Sequence, residues 1–142
     1  MNAKNALVCM FLALLGAPAL AQGATPFDGE WVLQVHDATG AVARYASSNI
    51  ILDYKGGTGT YVNRSPNMMK ADSCLRVNAD IDDVKVTETT LEFSVRRSAK
   101  LPGCQDFRLS FTREGDTITG HAVSMKTGAE TGSHMTYVGK RQ

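Results

Sequence analysis

The sequence has little excess charge, few cysteines and only one tryptophan. Its 142 residues include 15 Lys and Arg against 14 Asp and Glu, a net charge of +1. This balance argues against a nucleic-acid-binding protein, which would present a basic excess or stripe. Three Cys are too few for a disulfide-rich scaffold. With 43% hydrophobic and 20% charged residues, the composition is that of an ordinary globular chain whose length predicts one domain.

Arrangements of residues that carry catalysis or bind metals are also missing. The three histidines, His36, His121 and His134, do not share metal-ligand spacing, and no serine lies in a Gly-x-Ser-x-Gly elbow. The acidic cluster Asp80–Asp83 lacks the spacing and the glycine of a calcium-binding loop, so we interpret it as a turn between two strands. We therefore predict a protein that is not an enzyme and has no catalytic residue, metal or other cofactor.

The N-terminus has the three parts of a secretory signal peptide. Lys4 precedes the apolar run Ala6–Leu15, and Ala19–Ala21 provides a small-x-small exit. The apolar run is shorter than the roughly 20 residues that a membrane-spanning helix needs. We predict a signal peptide over residues 1–21 and one domain over residues 22–142, periplasmic or secreted, with no membrane span after cleavage.

The cysteines that remain after cleavage predict one disulfide. Removal of the signal peptide takes away Cys9 and leaves Cys74 and Cys104. Two cysteines in an exported chain are expected to pair. The bridge would close a loop of about 30 residues, for which the chain-entropy relation gives roughly 3.5 kcal/mol of stabilisation.

Apolar and polar residues alternate along most of the chain after the signal peptide. Trp31, Leu33 and Val35, for example, alternate with more polar neighbours, as in an antiparallel strand with one buried face. Glycine-containing turns separate the alternating runs. We predict an all-β fold of about eight strands in an antiparallel up-and-down β-barrel, with a β-sandwich as the alternative. The candidate strands lie near 30–36, 42–46, 49–55, 58–63, 73–79, 83–87, 90–97, 105–113, 117–124 and 133–140.

Two short motifs resemble those of the calycin-type barrels, such as the lipocalins and avidins. Gly29-Glu30-Trp31 opens the first strand and resembles the Gly-x-Trp signature, and Thr58-Gly59-Thr60-Tyr61 resembles an avidin strand. The resemblance implies a lipocalin-like barrel in which Trp31 plugs the closed end. It also implies that a basic residue of the last strand, Arg141 or Lys140, lies across the tryptophan ring, where a cation–π interaction is favourable.

Four further residues are candidates for contact with a ligand or partner. Arg97 and Arg113 continue the apolar phase of their strands, so they are predicted to point into one mouth of the barrel, where arginine can hold a carboxylate or phosphate. The alternative is that both extend to water past the strand ends. Met68 and Met69 lie in a polar loop, and their flexible thioethers suit an adaptable contact surface, unless that loop folds onto its own core.

These observations favour a non-enzymatic exported binding protein. We expect a monomeric, small-molecule-binding, lipocalin-like barrel whose ligand is small and either apolar or anionic. The alternative is a periplasmic inhibitor or immunity-type protein that binds an envelope protein such as a protease, a lysozyme or a toxin. The first hypothesis predicts an apolar cavity, and the second predicts a filled core with a functional loop. A tryptophan at the surface instead of in the core would make Trp31 itself a binding residue.

Overall fold

The computed structural model describes residues 23–43, 49–64, 72–129 and 135–142 and contains eight antiparallel strands. Two short 3-10 helices, Ser73–Arg76 and Arg97–Ala99, precede β4 and follow β5. The strands are β1 (Gly29–His36), β2 (Ile50–Lys55), β3 (Thr58–Asn63), β4 (Ala79–Val86), β5 (Thr90–Val95), β6 (Phe107–Glu114), β7 (Thr117–Ser124) and β8 (Thr136–Arg141).

Each strand pairs with the next, and β8 pairs with β1 to close the barrel. The closing register places Trp31 opposite Arg141 and Leu33 opposite Gly139. Gly139 leaves room for its neighbours, because a Cβ at this position would lie 2.5 Å from the Leu33 side chain and 2.6 Å from that of Ile118, which would have to shift. The predicted up-and-down barrel is thus confirmed and the sandwich alternative is wrong. Closure removes the unpaired edges that would expose an open sheet to aggregation.

The two ends of the barrel differ in the length of the connections between strands. At one end, which we call the hairpin end, β2–β3, β4–β5 and β6–β7 are joined by turns of two or three residues. The β2–β3 turn uses Gly56 and Gly57 with φ of 54° and 92°, the positive values that a type I′ hairpin requires. At the other end, the loop end, the connections are 37–49, 64–78, 96–106 and 125–135.

The alternating apolar residues form the core, and their rings meet across the barrel. Tyr61 of β3 contacts Phe107 of β6 edge-on, with ring centroids 5.6 Å apart. Phe111 of β6 meets Tyr137 of β8 at 6.5 Å and stacks with Phe93 of β5 at 6.0 Å. Because the first two pairs join strands that are not neighbours, side chains span part of the interior.

The predicted strand over 73–79 is wrong in all but its last residue. Residues 73–76 form a 3-10 helix, because the Asp72 carboxylate accepts the Cys74 amide at 2.8 Å and caps the turn. Cys74 is in turn held by a disulfide to Cys104, with Cα atoms 5.5 Å apart, which confirms the predicted pair. These local bonds override the alternating pattern, and strand β4 begins only at Ala79.

The predicted turn at Asp80–Asp83 is also wrong. Strand β4 continues through this cluster to Val86, with a bulge that shifts its register against β5 between Asp82 and Lys85. Asp83 has φ of 50°, a conformation that Asp adopts more readily than most residues. The bulge adds one residue to β4. This extra residue interrupts the apolar–polar alternation, so the sequence resembles a turn although the strand is continuous.

Some predictions fall wholly or partly outside the described residues. The predicted signal peptide lies there, and so does most of the candidate strand 42–46, of which Val42 forms an isolated bridge with His36. In the part of the chain that the structure describes, no helix is long and apolar enough to cross a membrane. The disulfide is compatible with export, because such bonds persist in oxidising compartments.

Candidate functional site

The hairpin end is closed by Trp31 and the residues that surround it. Trp31 is fully buried, and its Nε1 donates a hydrogen bond of 2.8 Å to the Phe27 carbonyl. The Arg141 guanidinium carbon lies 4.6 Å from the centroid of the Trp31 ring. The two Nη atoms of Arg141 donate to the carbonyls of Asp28 at 2.8 Å and Pro26 at 2.6 Å. The Trp31 ring, the Arg141 guanidinium and residues 26–28, which precede β1, thus close this end together.

Of the two basic residues that the resemblance implied, Arg141 is the one that lies over the tryptophan. Lys140 is exposed, because neighbouring residues of a strand point to opposite faces of the sheet. Gly29 has φ of 128°, a conformation that glycine alone adopts readily, which explains the glycine of the Gly-x-Trp signature. Since Trp31 has no exposed surface, its place is in the closed end and not on a contact surface.

The loop end contains a buried arginine among aromatic rings. Arg97 opens the 3-10 helix after β5 and is only 8% exposed. Its guanidinium carbon lies 4.9 Å from the ring centroid of Phe107 and 5.7 Å from that of Tyr61. These are cation–π distances. The guanidinium of Arg97 therefore packs on the two rings that meet across the barrel.

Arg97 has no acidic partner in the described part of the chain. No carboxylate described here lies within 4.0 Å of its guanidinium, and its buried Nε atom has no hydrogen-bond acceptor there. A buried cation without a counter-ion is costly because water no longer solvates it. Arg113 Nε and Arg141 Nε are likewise buried without an acceptor, so what distinguishes Arg97 is a buried positive charge that no described carboxylate neutralises.

Two tyrosine hydroxyls lie within reach of the Arg97 charge. Burial raises the pKa of Tyr61 well above its ordinary value; the neighbouring Tyr137 adds to this rise and the Arg97 cation opposes it. Burial also raises the pKa of Tyr137. Interaction with the Tyr61 hydroxyl and with the Arg97 cation opposes this rise in the pKa of Tyr137. Both hydroxyls remain protonated at neutral pH.

The connection that contains Arg97 is held on several sides. The Asp106 carboxylate accepts the amide of Ser98 at 2.8 Å and its hydroxyl at 2.5 Å. The Asp106 carbonyl accepts the Met125 amide at 3.0 Å, which joins this connection to the one after β7. Cys104 links it to the connection before β4. The position of the arginine is therefore set before any ligand arrives, which lowers the entropic cost of binding.

Arg113 lies at the hairpin end, on the far side of the barrel from Arg97. It pairs with Ile118 in the β6–β7 hairpin, and its amide donates to the Thr89 carbonyl at 2.8 Å. The expectation that both arginines share one mouth is wrong, because β5 and β6 are antiparallel: Arg97 follows the end of β5, whereas Arg113 is near the end of β6.

The other candidate residues form no further site in the described residues. Met68, Met69 and His134 lie outside them. His36 is bonded to the Gly40 carbonyl at 2.9 Å, and His121 is exposed. Over the described ranges, no group of three or more His, Cys, Asp or Glu residues could hold a metal ion.

The acidic residues of β4 are neutralised by neighbouring cations. Asp82 accepts Arg96 Nε at 2.7 Å, and Asp83 accepts an Nη atom of the same guanidinium. Lys100 forms an ion pair of 3.2 Å with Asp80. These exposed pairs hold the bulge of β4 against the end of β5.

Sequence reasoning found Arg97 and missed the groups around it. None of Tyr61, Phe107, Tyr137 and Asp106 was a site candidate in the sequence, where Tyr61 appeared only in the Thr58-Gly59-Thr60-Tyr61 motif. No local motif marks such a set, because its members come from three strands and a connection that the barrel brings together. No protein-family profile, curated protein or solved structure matches this chain.

Proposed function

We propose that this chain is a non-enzymatic, lipocalin-like binding protein that takes a small ligand at the loop end of its barrel. The observation that carries the proposal is the buried Arg97, which rests on Phe107 and Tyr61 and has no acidic partner among the described residues. Burial of a cation without a counter-ion carries a desolvation cost, which a binding role for Arg97 would explain. Ligand sites commonly combine an apolar lining with a few such polar groups.

The difference between the two ends supports a site at the loop end. Arg141 at the hairpin end is also a half-buried arginine over an aromatic ring, but carbonyl oxygens satisfy both of its Nη atoms. Arg97 has the same ring contact without carbonyl acceptors for its Nη atoms, whereas Nε lacks an acceptor in both arginines and in Arg113. This difference supports a structural role for Arg141 and a ligand-binding role for Arg97.

The ligand is expected to lie against the ring pair and not deep in the barrel. Tyr61 and Phe107 meet across the interior directly below Arg97, and Phe111 and Tyr137 make a second contact between non-adjacent strands. This shallow geometry also supports a second candidate, an inhibitor or immunity-type protein whose partner inserts an acidic side chain beside Arg97. A filled core is what that alternative predicts.

Native mass spectrometry of the chain exported to an oxidising compartment tests the proposal. We expect wild type to retain a discrete small mass that Arg97→Gln loses, and Arg113→Gln at the opposite end to retain it as the matched control. A bound protein in place of a small mass would establish the second candidate. Bare masses for every variant, with no change in loop-end NMR signals after addition of a small-molecule extract of the same cells, would refute the small-ligand proposal.

A further inference from the structure

We infer that the amino terminus created by signal-peptide cleavage, at Gln22, binds in a cleft of the barrel wall between β3 and β4, where its ammonium group pairs with Asp82 and Asp83. We call this opening the side cleft. The inference concerns the hairpin end and does not depend on the ligand proposed for the loop end. It relies on the predicted cleavage after Ala21 and on the shape, the neighbouring chain and the charge of the side cleft.

The side cleft exists because the ladder between β3 and β4 is short. Strands β2 and β3 pair at six positions, whereas β3 and β4 pair only at Thr60 with Asp80 and at Tyr61 with Ala79. Within these two fully described strands, residues Ile81–Val86 of β4 therefore have no register partner on β3. The backbone of β4 is open to a further chain segment along this stretch.

A cavity of about 420 Å³ lies in the side cleft, between β4 and the β2–β3 turn. Side-chain bonds fix the turn, because the Asp28 carboxylate accepts the Gly56 amide and the Tyr54 hydroxyl accepts the Gly57 amide, each at 3.1 Å. The bulge of β4 is fixed by its ion pairs. Both walls are thus held in position before the cavity is filled. The lining includes Gly23, Thr25, Asp82, Asp83, Val84 and Val86.

The chain that precedes β1 leads into this cavity. The Thr25 hydroxyl donates to the Asp28 carboxylate at 2.8 Å, and the same oxygen accepts the Gly56 amide, so this segment is anchored beside the turn. Gly23, two residues earlier, lines the cavity itself. After cleavage following Ala21, only Gln22 precedes Gly23, and consecutive Cα atoms are about 3.8 Å apart. The new ammonium group is therefore tethered within one residue of the cavity.

The carboxylates of the β4 wall lack one positive charge. Arg96 donates to both Asp82 and Asp83, so the three groups together retain one negative charge. The Oδ1 atom of Asp82 is buried and has no hydrogen-bond partner among the described residues. An ammonium group supplies both the missing charge and three N–H donors. Charge complementarity thus favours the amino terminus as the occupant of the side cleft.

The other charged groups near the cavity do not take this place. Lys85 lies between two lining valines, is exposed, and points to the opposite face of the strand. Arg108 acts on Asp83 through charge alone. On the turn side, Lys55 acts on Asp28, whose carboxylate is already bonded to the chain before β1.

Three chains that differ only at the amino terminus test the inference. The first begins at Gln22 and the second retains Ala21. In the third, glutaminyl cyclase has joined the Gln22 amino nitrogen to the side-chain carbonyl carbon with release of ammonia, which removes the charge without adding a residue. NMR follows the amide signals of Asp82–Val86 in all three and titrates the amino group of the first two.

We expect the side cleft to raise the pKa of the amino group in the chain that begins at Gln22. Its acid dissociation constant should be about 2- to 5-fold lower than in the same chain unfolded in urea, the factor that a half-exposed ion pair provides. The chain that retains Ala21 should show less of this change. The signals of Asp82–Val86 should differ between the first chain and the other two. Asp82→Asn should abolish the rise, and Asp80→Asn, whose carboxylate pairs with Lys100, should keep it as the matched control.

Several results would overturn the inference. They are an equal pKa in the folded and unfolded chain, a rise that persists in Asp82→Asn, or identical Asp82–Val86 signals in all three chains. Signals of Asp82–Val86 that change with protein concentration would place a second copy in the side cleft instead. An exported protein whose intact mass does not begin at Gln22 would remove the premise. The comparison with the Ala21 chain remains decisive if Asp82→Asn fails to fold.

Discussion

Replacing Arg97 by methionine should leave the protein as stable as wild type or make it more stable. Arg97 is 8% exposed, and its Nε has no acceptor in the described residues, a condition that it shares with Arg113 and Arg141. A buried donor without a partner costs about 1–3 kcal/mol. The cation–π contacts to Phe107 and Tyr61 return about 0.5–2 kcal/mol. Methionine keeps an apolar stem and adds sulfur–aromatic contacts of about 0.3–1.5 kcal/mol.

Together, these effects predict that the unfolding free energy of Arg97→Met equals that of wild type or exceeds it by about 1–2 kcal/mol. Urea titration followed by the fluorescence of Trp31, the only tryptophan, measures it. The same variant should lose ligand binding, which is the pattern expected of a residue kept for function at a cost in stability.

The matched control is the same substitution at the other end of the barrel. Arg141→Met removes two charged hydrogen bonds to the carbonyls of Asp28 and Pro26 and the contact with Trp31. Because Arg141 is partly exposed, we expect a loss of about 2–4 kcal/mol. A loss of more than about 1 kcal/mol in Arg97→Met would refute the reasoning, since Arg97 would then have a structural partner.

Three further predictions concern the barrel itself. Trp31→Ala removes a fully buried ring and should lower the unfolding free energy by about 3–5 kcal/mol in denaturant titration; a loss below about 1 kcal/mol would show that the ring is not in the core. Cys74→Ser opens the disulfide and should cost about 2–4 kcal/mol, whereas equal melting temperatures of wild type with and without reductant would contradict this. A hydrogen bond from Arg96 and a second one from Ser94 lower the pKa of Asp83. This carboxylate therefore contributes stability above its unfolded pKa and loses the contribution as the pH falls below about 4. Asp83→Asn should then be less stable than wild type at pH 6 and converge with it near pH 2; a constant difference would be inconsistent with this linkage.

Much of the fold was predictable because its causes are local. Alternation of apolar and polar residues predicted most strands, and turn residues such as Gly56 and Gly57 predicted where they end. The errors at residues 73–76 and at the β4 bulge also have physical causes. The Asp72 cap and the Cys104 bridge supply bonds that oppose an extended chain, and the cation of Arg96 stabilises an irregular strand.

The sequence by itself determined the class of fold, the disulfide pair and the identity of Trp31 as a candidate for the closed end. These follow from period-two patterning, from the count of cysteines and from a local motif. Tertiary structure decided which arginine serves which role. Closure of β8 on β1 brings Arg141 over Trp31 and beside two carbonyls, whereas the antiparallel course of β5 and β6 sends Arg97 and Arg113 to opposite ends. Whether a charge is satisfied depends on groups distant in the chain, so only the folded barrel shows that Arg97 lacks an acidic partner among the described residues.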